Sequence, residues 1–401
     1  MKCLEVPKDR GLVVYGPAKL AVEKGEILAS GLTLRDGSEA IIRSTRGISL
    51  LSLSSSRVCI SVGRGGHYQE VGEELKKLMN WLSVLDRIKE EGYKRIMVVG
   101  EPDTGKSSFS LWAYNFLGYC LLEADVGQNE LGYPAMVSIV KPKGEPILVL
   151  QDANADASWF VGHVRIDIIV ELHVLAAINA ARNCPGNIIV DTDGFVEGKG
   201  LYHKSLLAET LNIDAIAIME SPKAKTLESF FSKVGYHVIS VPSPPKVLKR
   251  SLSSRKEYRE YMYARLFTTT YQAKIALDKV ANLCSIQELG GERIYNCGHL
   301  LITEGKTRTK EVRSISSQWA RGLIAGIRLR SLRSDIPGIV DNLSLERGII
   351  VLRTPKKIDE SDVHYVMLGF IRLDQYMHEA EKTFPGFYPE ILLRKREGRS
   401  P

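Results

Sequence analysis

The stretch Gly100-Glu101-Pro102-Asp103-Thr104-Gly105-Lys106-Ser107-Ser108 reads G-x-x-x-x-G-K-S, and its flanks narrow what it can fold into. The residues before it, Arg95-Ile96-Met97-Val98-Val99, form an apolar run suited to a buried strand. Residues 108–117 have helix length and no breaker before Gly118. Strand, glycine loop and helix follow in the order that aims backbone N–H groups at phosphate oxygens. In that arrangement Lys106 reaches the β- and γ-phosphates and the Ser107 hydroxyl can ligate Mg²⁺. An accidental glycine-rich turn is the competing reading, and the strand and helix on either side argue against it.

At 401 residues the chain has room for two or three domains. Residues 1–66 read as an N-terminal β domain of short strands, with Asp36-Gly37 as a turn signal. From 67 to 283 the pattern predicts a P-loop domain. It opens with one linker helix over 68–91, where Leu75, Leu78, Leu82, Leu85 and Ile88 recur at helical spacing. Apolar strands then alternate with helices, which argues for an α/β fold with a mostly parallel sheet. Residues 136–150, split by Lys143-Gly144, read as an inserted hairpin, and a lid is expected at about 242–265. Residues 284–401 return to short strands and read as a C-terminal β-rich domain.

The net charge of +7 is compatible with a polyanionic partner without establishing one. The six cysteines are scattered, with no C-x-x-C pair, and read as reduced thiols rather than disulfides or a zinc site. Cys297-Gly298-His299 lacks further ligands nearby. No leader-like or membrane-spanning apolar stretch is evident, so the expected location is cytoplasmic, with no membrane partner.

Ligands in open parallel sheets lie at the carboxyl ends of the strands, and chemistry-bearing residues cluster there. The strand after the P-loop helix ends in Glu123-Ala124-Asp125-Val126-Gly127-Gln128. Asp125 is placed to hold the metal's water shell or to accept a proton, and Gln128 to orient a nucleophile or a metal water. The next strand ends in Asp191-Thr192-Asp193-Gly194-Phe195, followed by Gly198 and Gly200. Its glycines permit close backbone approach, and its aromatic can stack on a base; a half-buried Phe in a Gly-rich loop is an equal reading. Phe160-Val161-Gly162-His163 is another loop before a helix, where a surface histidine is the default. Arg250, Arg255 and Arg259 lie on a basic stretch, with Arg255 and Arg259 spaced to share one helix face.

These motifs, in this order, resemble the polynucleotide 5′-hydroxyl kinases, a family with eukaryotic RNA-processing members and shorter archaeal enzymes. The family's P-loop often reads G-P-x-D-x-G-K-S, and Asp103 falls on its Asp. Its carboxylate-x-D-x-G-Q motif matches Glu123 to Gln128, and its T-x-G-W clasp with x-x-G-x-G matches Thr192 to Gly200. Its R-S-x-x-x-R lid matches Arg250, Ser251 and Arg255. Phe160 to Gly162 resembles a family segment near the substrate. The departures are Phe195 for the clasp Trp, Asp191 for a usual Asn, and Glu101 for a smaller or apolar residue.

The resemblance implies ATP and Mg²⁺ as cofactors and RNA or DNA with a 5′-OH end as the acceptor, with protein partners open. It implies Gly100, Asp103, Thr104, Gly105, Lys106, Ser107 and Ser108 around the triphosphate. Ser107, Asp125 and Gln128 would serve the metal. Lys106, Asp125, Gln128, Arg250 and Arg255 would serve transfer, and Thr192, Gly194, Phe195, Gly162 and His163 the substrate. An ATP-binding scaffold without transfer is the alternative, and a small-metabolite kinase is a further one. The basic run Lys306, Arg308, Lys310 and Arg313, extended by Arg321, Arg328, Arg330 and Arg333, is a candidate nucleic-acid surface.

Overall fold

The computed structural model describes residues 1–42, 47–144, 146–244, 252–280, 284–289, 292–297, 301–303, 315–316, 320–344 and 347–382. Its centre is a seven-stranded sheet in the order Ala157–Phe160, Met136–Val140, Cys120–Glu123, Ile188–Asp191, Arg95–Val99, Ala215–Met219, His237–Val241. The last five run parallel. Residues of the first four of these are buried almost throughout, as strands covered on both faces must be, while the edge strand His237–Val241 is partly exposed.

The Met136–Val140 and Ala157–Phe160 strands add antiparallel to one edge, Met136 opposite Phe160. The hairpin expected within 136–150 is therefore not formed. The Met136–Val140 strand finds its partner beyond residue 150, and the turn signal at Lys143-Gly144 lies in the connection between them.

The linker helix is also shorter than its periodicity suggests. His67–Val71 is a strand of the N-terminal sheets, Glu73–Leu78 a 3₁₀ segment, and only Met79–Glu90 is α-helical. Trp81, Leu85 and Ile88 form its buried face. The Trp81 indole N–H donates to the Pro242 carbonyl at 2.7 Å, and the ring meets Phe109 and Trp112 edge-on.

Ahead of this domain, a four-stranded and a five-stranded antiparallel sheet close on a core of Leu12, Val14, Leu20, Val22, Ile42, Leu50, Val58 and Ile60. Beyond it, a six-stranded sheet is ordered Tyr271–Ala276, Ile349–Thr354, Asp335–Ser344, Leu323–Leu329, Val363–Leu373, Glu379–Lys382. This sheet seats on the edge strand of the central one. The Phe160 N–H donates to Asp335 at 2.8 Å and the Phe370 N–H to the Gly162 carbonyl at 2.8 Å. The Phe160 ring fills the space left by two glycines. A Cβ on Gly326 would lie 2.4 Å from Phe160 Cβ, and one on Gly369 would lie 2.8 Å from Phe160 Cζ.

Two pairs of cysteines are bonded, Cys3 to Cys59 and Cys120 to Cys184. This corrects the reading of all six as reduced thiols, and it removes the cysteine argument for a reducing compartment. Sequence spacing missed both pairs because the partners lie 56 and 64 residues apart and meet only through the fold. His299, and with it the Cys297–His299 reading, falls outside the described residues. Among the described residues no helix is long and apolar enough to cross a membrane.

Candidate nucleotide and acceptor cleft

The P-loop leaves the strand Arg95–Val99 and returns as the helix Lys106–Leu117. Gly105 caps that helix at φ 93°, where L side chains are strained, and a Cβ there would lie 2.8 Å from Pro244. Asp103 also takes a positive φ, 60°. The loop is braced from inside: the Thr104 hydroxyl and the Lys106 ammonium both donate to the Glu101 carbonyl, at 2.9 and 2.8 Å. The unpaired N–H groups of the first helical turn are left to face the cleft.

Lys106 is only 7% exposed. Burial pulls its pKa down, against the carboxylates of Asp191, Asp125 and Asp193 gathered around it. Asp125 sits at the end of the neighbouring strand, where its Oδ1 accepts from Gly127 N–H at 2.9 Å and Gln128 N–H at 3.0 Å. Burial and the Asp193 charge raise its pKa, opposed by Lys106 and the two N–H groups.

Glu123, the first carboxylate of the same motif, points the other way. It is buried and accepts from the N–H groups of Glu130 and Leu131 at 2.6 and 2.5 Å, closing the loop that carries Asp125 and Gln128.

Asp191 lies between these groups, fully buried at the end of the strand beside the P-loop strand. Burial lifts its pKa to about 7, against the Ser107 hydroxyl and Lys106. The Ser110 hydroxyl donates to its Oδ1 at 3.3 Å, while Oδ2 has no hydrogen-bond partner among the described residues.

The clasp loop packs directly on the P-loop, since a Cβ on Gly194 would meet Pro102 at 2.5 Å. Phe195 is half-buried and lines the cleft. Its backbone N–H donates to Asp193 Oδ1 at 2.6 Å. Thr192, expected to meet substrate, is instead buried; its hydroxyl donates 2.7 Å to the Val98 carbonyl and ties the clasp strand to the P-loop strand. Gly162 and His163 are likewise removed from the cleft. Gly162 sits at φ 78° in the joint with the C-terminal sheet. His163 is fully buried beside Phe370, its Nδ1 accepting from Arg165 N–H at 2.9 Å, and burial lowers its pKa to about 4. The next residues in the chain, Val164 and Arg165, line the cleft in their place.

The helix Leu252–Leu266 closes the opposite side. Arg255 donates to Asp103 Oδ2 at 2.6 Å, and Arg259 makes a bidentate pair with buried Glu379 at 2.6 and 2.8 Å. Spacing alone put both arginines on one face; the structure gives one to the P-loop and the other to the C-terminal sheet. Arg250 and Ser251 fall outside the described residues. So does the run Lys306 to Arg313 of the candidate basic surface. Of its described extension, Arg328 is held by Asp335 at 2.6 Å and lies over the Tyr365 ring, whereas Arg321, Arg330 and Arg333 are exposed.

The whole forms a cleft of about 1470 Å³. Its far wall was not legible in the sequence: Tyr15 and Val71 of the N-terminal sheets, with Trp81 and Trp112, line the same space as Lys106 and Phe195. Tyr15 is stacked on His67 with ring centroids 4.4 Å apart. No phosphate-loop pattern points to a residue as far upstream as Tyr15.

Fold and loop together define a P-loop nucleotide-binding protein. A family model described as "mRNA cleavage and polyadenylation factor CLP1 P-loop" matches residues 100–269. The chain is 28% identical over 194 residues to the polyribonucleotide 5′-hydroxyl-kinase of Thermococcus kodakarensis, covering 46% of this chain and 55% of that one. It is 26% identical over 187 residues to the Pyrococcus horikoshii protein of the same name, covering 43% and 49%. The polynucleotide 5′-hydroxyl-kinase NOL9 of Drosophila melanogaster matches over 154 residues at 25%, covering 35% and 15%. The matches thus span about half the length of the archaeal relatives. Among solved structures, Clp1p in the Clp1p–Pcf11p complex superposes with a TM-score of 0.66 at 14% identity, over 93% of this chain and 98% of that one, a likeness of fold.

Proposed function

We propose that the cleft transfers the γ-phosphoryl group of ATP to the 5′-hydroxyl of a polynucleotide, with RNA as the first acceptor to test. The observation that carries this reading is the convergence of Lys106, Asp125, Phe195 and Arg255 on one cleft. A nucleotide-binding loop alone needs neither an aromatic beside the phosphates nor an arginine facing them. Relatives named as 5′-hydroxyl kinases of polyribonucleotides support the choice of acceptor.

In this reading the P-loop N–H groups and Lys106 hold the triphosphate, and Phe195 stacks on the terminal base. Asp125 takes the proton of the attacking 5′-hydroxyl as its oxygen bonds to the γ-phosphorus. The bond from that phosphorus to the bridging oxygen breaks, and ADP leaves. A carboxylate with a raised pKa suits proton acceptance. Arg255, and Arg250 from the same basic stretch, neutralise the charge that builds on the moving group.

The residues present fit Mg²⁺. Asp191 Oδ2 is a buried acceptor without a partner among the described residues, near Ser107 and Asp125, and these two with Gln128, which lines the same cleft, would hold the ion or its waters. When bound, the ion supplies charge neutralisation on the phosphates.

The test is transfer of labelled γ-phosphate to a 5′-OH RNA oligonucleotide, to the matching DNA and to a mononucleoside, with Lys106→Ala and Asp125→Asn as controls. Label on the oligonucleotides that both substitutions abolish is the expected result. Label on the mononucleoside alone would give a metabolite kinase. ATP bound without transfer would give a nucleotide-dependent scaffold, for which the Clp1p–Pcf11p neighbour offers a precedent of fold with a protein partner.

A further inference from the structure

Behind the cleft lies a chain of buried polar groups that the transfer chemistry does not use. Lys204, on the clasp helix Lys199–Thr210, has no exposed surface. Its ammonium donates to Asp193 Oδ2 at 2.5 Å and lies 3.4 Å from His203 Nδ1. His203 Nε2 lies 3.0 Å from His173 Nδ1, and His173 Nε2 lies 2.7 Å from the Ala124 carbonyl. Both histidines are buried.

Donor accounting fixes every proton in this chain. The Ala124 carbonyl can only accept, so His173 carries its proton on Nε2 and accepts at Nδ1. His203 must then donate from Nε2 and accept at Nδ1, and the ammonium of Lys204 is the donor that remains. One unbroken direction results, from Lys204 through two neutral imidazoles to Ala124. Burial favours the same state, holding His173 at about 4 and His203 at about 2, the latter also by repulsion from Lys204.

The two ends of the chain are the two loops that carry the proposed chemistry. Ala124 precedes Asp125. Asp193 takes Lys204 on one oxygen and the Phe195 N–H on the other. We infer that Lys204, with His203 and His173, is a positioning relay that sets the clasp aromatic Phe195 against Asp125 and thereby the fit of the acceptor end. Lys204 also balances the Asp193 charge, which would otherwise add to that of Asp125. The acceptor role rests on the kinase reading; the mechanical link between the loops does not.

The test compares the wild type with Lys204→Met and with the charge-neutral pair Asp193→Asn/Lys204→Met, since the single change leaves a buried carboxylate unpaired and can cost folding. Hydrogen exchange at residues 124–128 and 194–197 reads the link without any activity. Both regions are expected to exchange about tenfold faster in Lys204→Met. In the double variant residues 194–197 recover, because an Asn still accepts from Phe195, while residues 124–128 stay fast. KM for the 5′-OH oligonucleotide is expected to rise about tenfold in Lys204→Met, with ATP-analogue affinity held within about twofold.

Wild-type exchange at both loops in Lys204→Met would overturn the relay. So would an equal loss of ATP and oligonucleotide binding in both variants, which marks a plain core residue. If the wild type moves no phosphate to any oligonucleotide, the kinase reading fails by itself and the exchange comparison alone decides the link.

Discussion

Arg255 reaches out of the helix Leu252–Leu266 to the carboxylate of Asp103, 2.6 Å away at the tip of the P-loop. In the proposed reading the same guanidinium would exchange this carboxylate for a phosphate when ATP binds. Arg255→Ala is expected to slow transfer by about 10³-fold or more, the range for an arginine on a moving phosphoryl group. ATP affinity should change only a few-fold. Because the pair is partly exposed, the stability loss should stay near 1 kcal/mol or below. Single-turnover rates, titration with a fluorescent ATP analogue and thermal melts separate the three.

Gly194 lies against Pro102 with no room for a methyl group. Gly194→Ala should push the clasp loop off the P-loop and destabilise by about 1–3 kcal/mol. Transfer should fall more than the melting point alone explains, since the displaced loop carries Phe195. Activity measured well below the midpoint of unfolding makes that comparison.

His173 is held neutral, its pKa lowered to about 4 by burial against an unfolded value near 6.5. Below pH 6.5 the unfolded chain takes up a proton that the folded chain refuses, so stability is lost as pH falls from about 6.5 towards about 4. Asp191 acts oppositely, its raised pKa favouring the folded state on acidification. A comparison of the wild type with His173→Gln cancels that common contribution. The wild type should lose about 1.5 kcal/mol relative to the variant between pH 6.5 and pH 5. Urea unfolding at the two pH values measures it.

Gly326 faces the Phe160 ring at the seat of the C-terminal sheet. Gly326→Ala should lower stability by about 1–3 kcal/mol through overpacking. Gly186→Ala is its control, as a Cβ there meets nothing within 4 Å and the backbone is not in the left-handed region. Melts of both variants suffice.

Much of the central domain was legible because its signals are local. The P-loop pattern needs only a strand before it and a helix after, and the ends of the next two strands could be found by alternation. What stayed hidden depends on contacts far apart in sequence. Thr192 and His163 sit in suggestive loops, yet their side chains turn to Val98 and Phe370. Lys204 reads as one more cation on a helix, because only the fold places Asp193 over it. Tyr15 and Val71 carry no motif at all; the N-terminal sheets acquire their place at the cleft only when the chain closes up.

The walls of that cleft come from stretches as distant as Tyr15, Lys106 and Arg259. The segment 100–269 that matches the family is thus a floor and a lid lacking one side. Excised alone, it would lose that wall and also the strand Arg95–Val99 from which the P-loop springs. Any trade of parts between such chains has to carry the first seventy residues along with the loop, since the binding site is assembled across that seam.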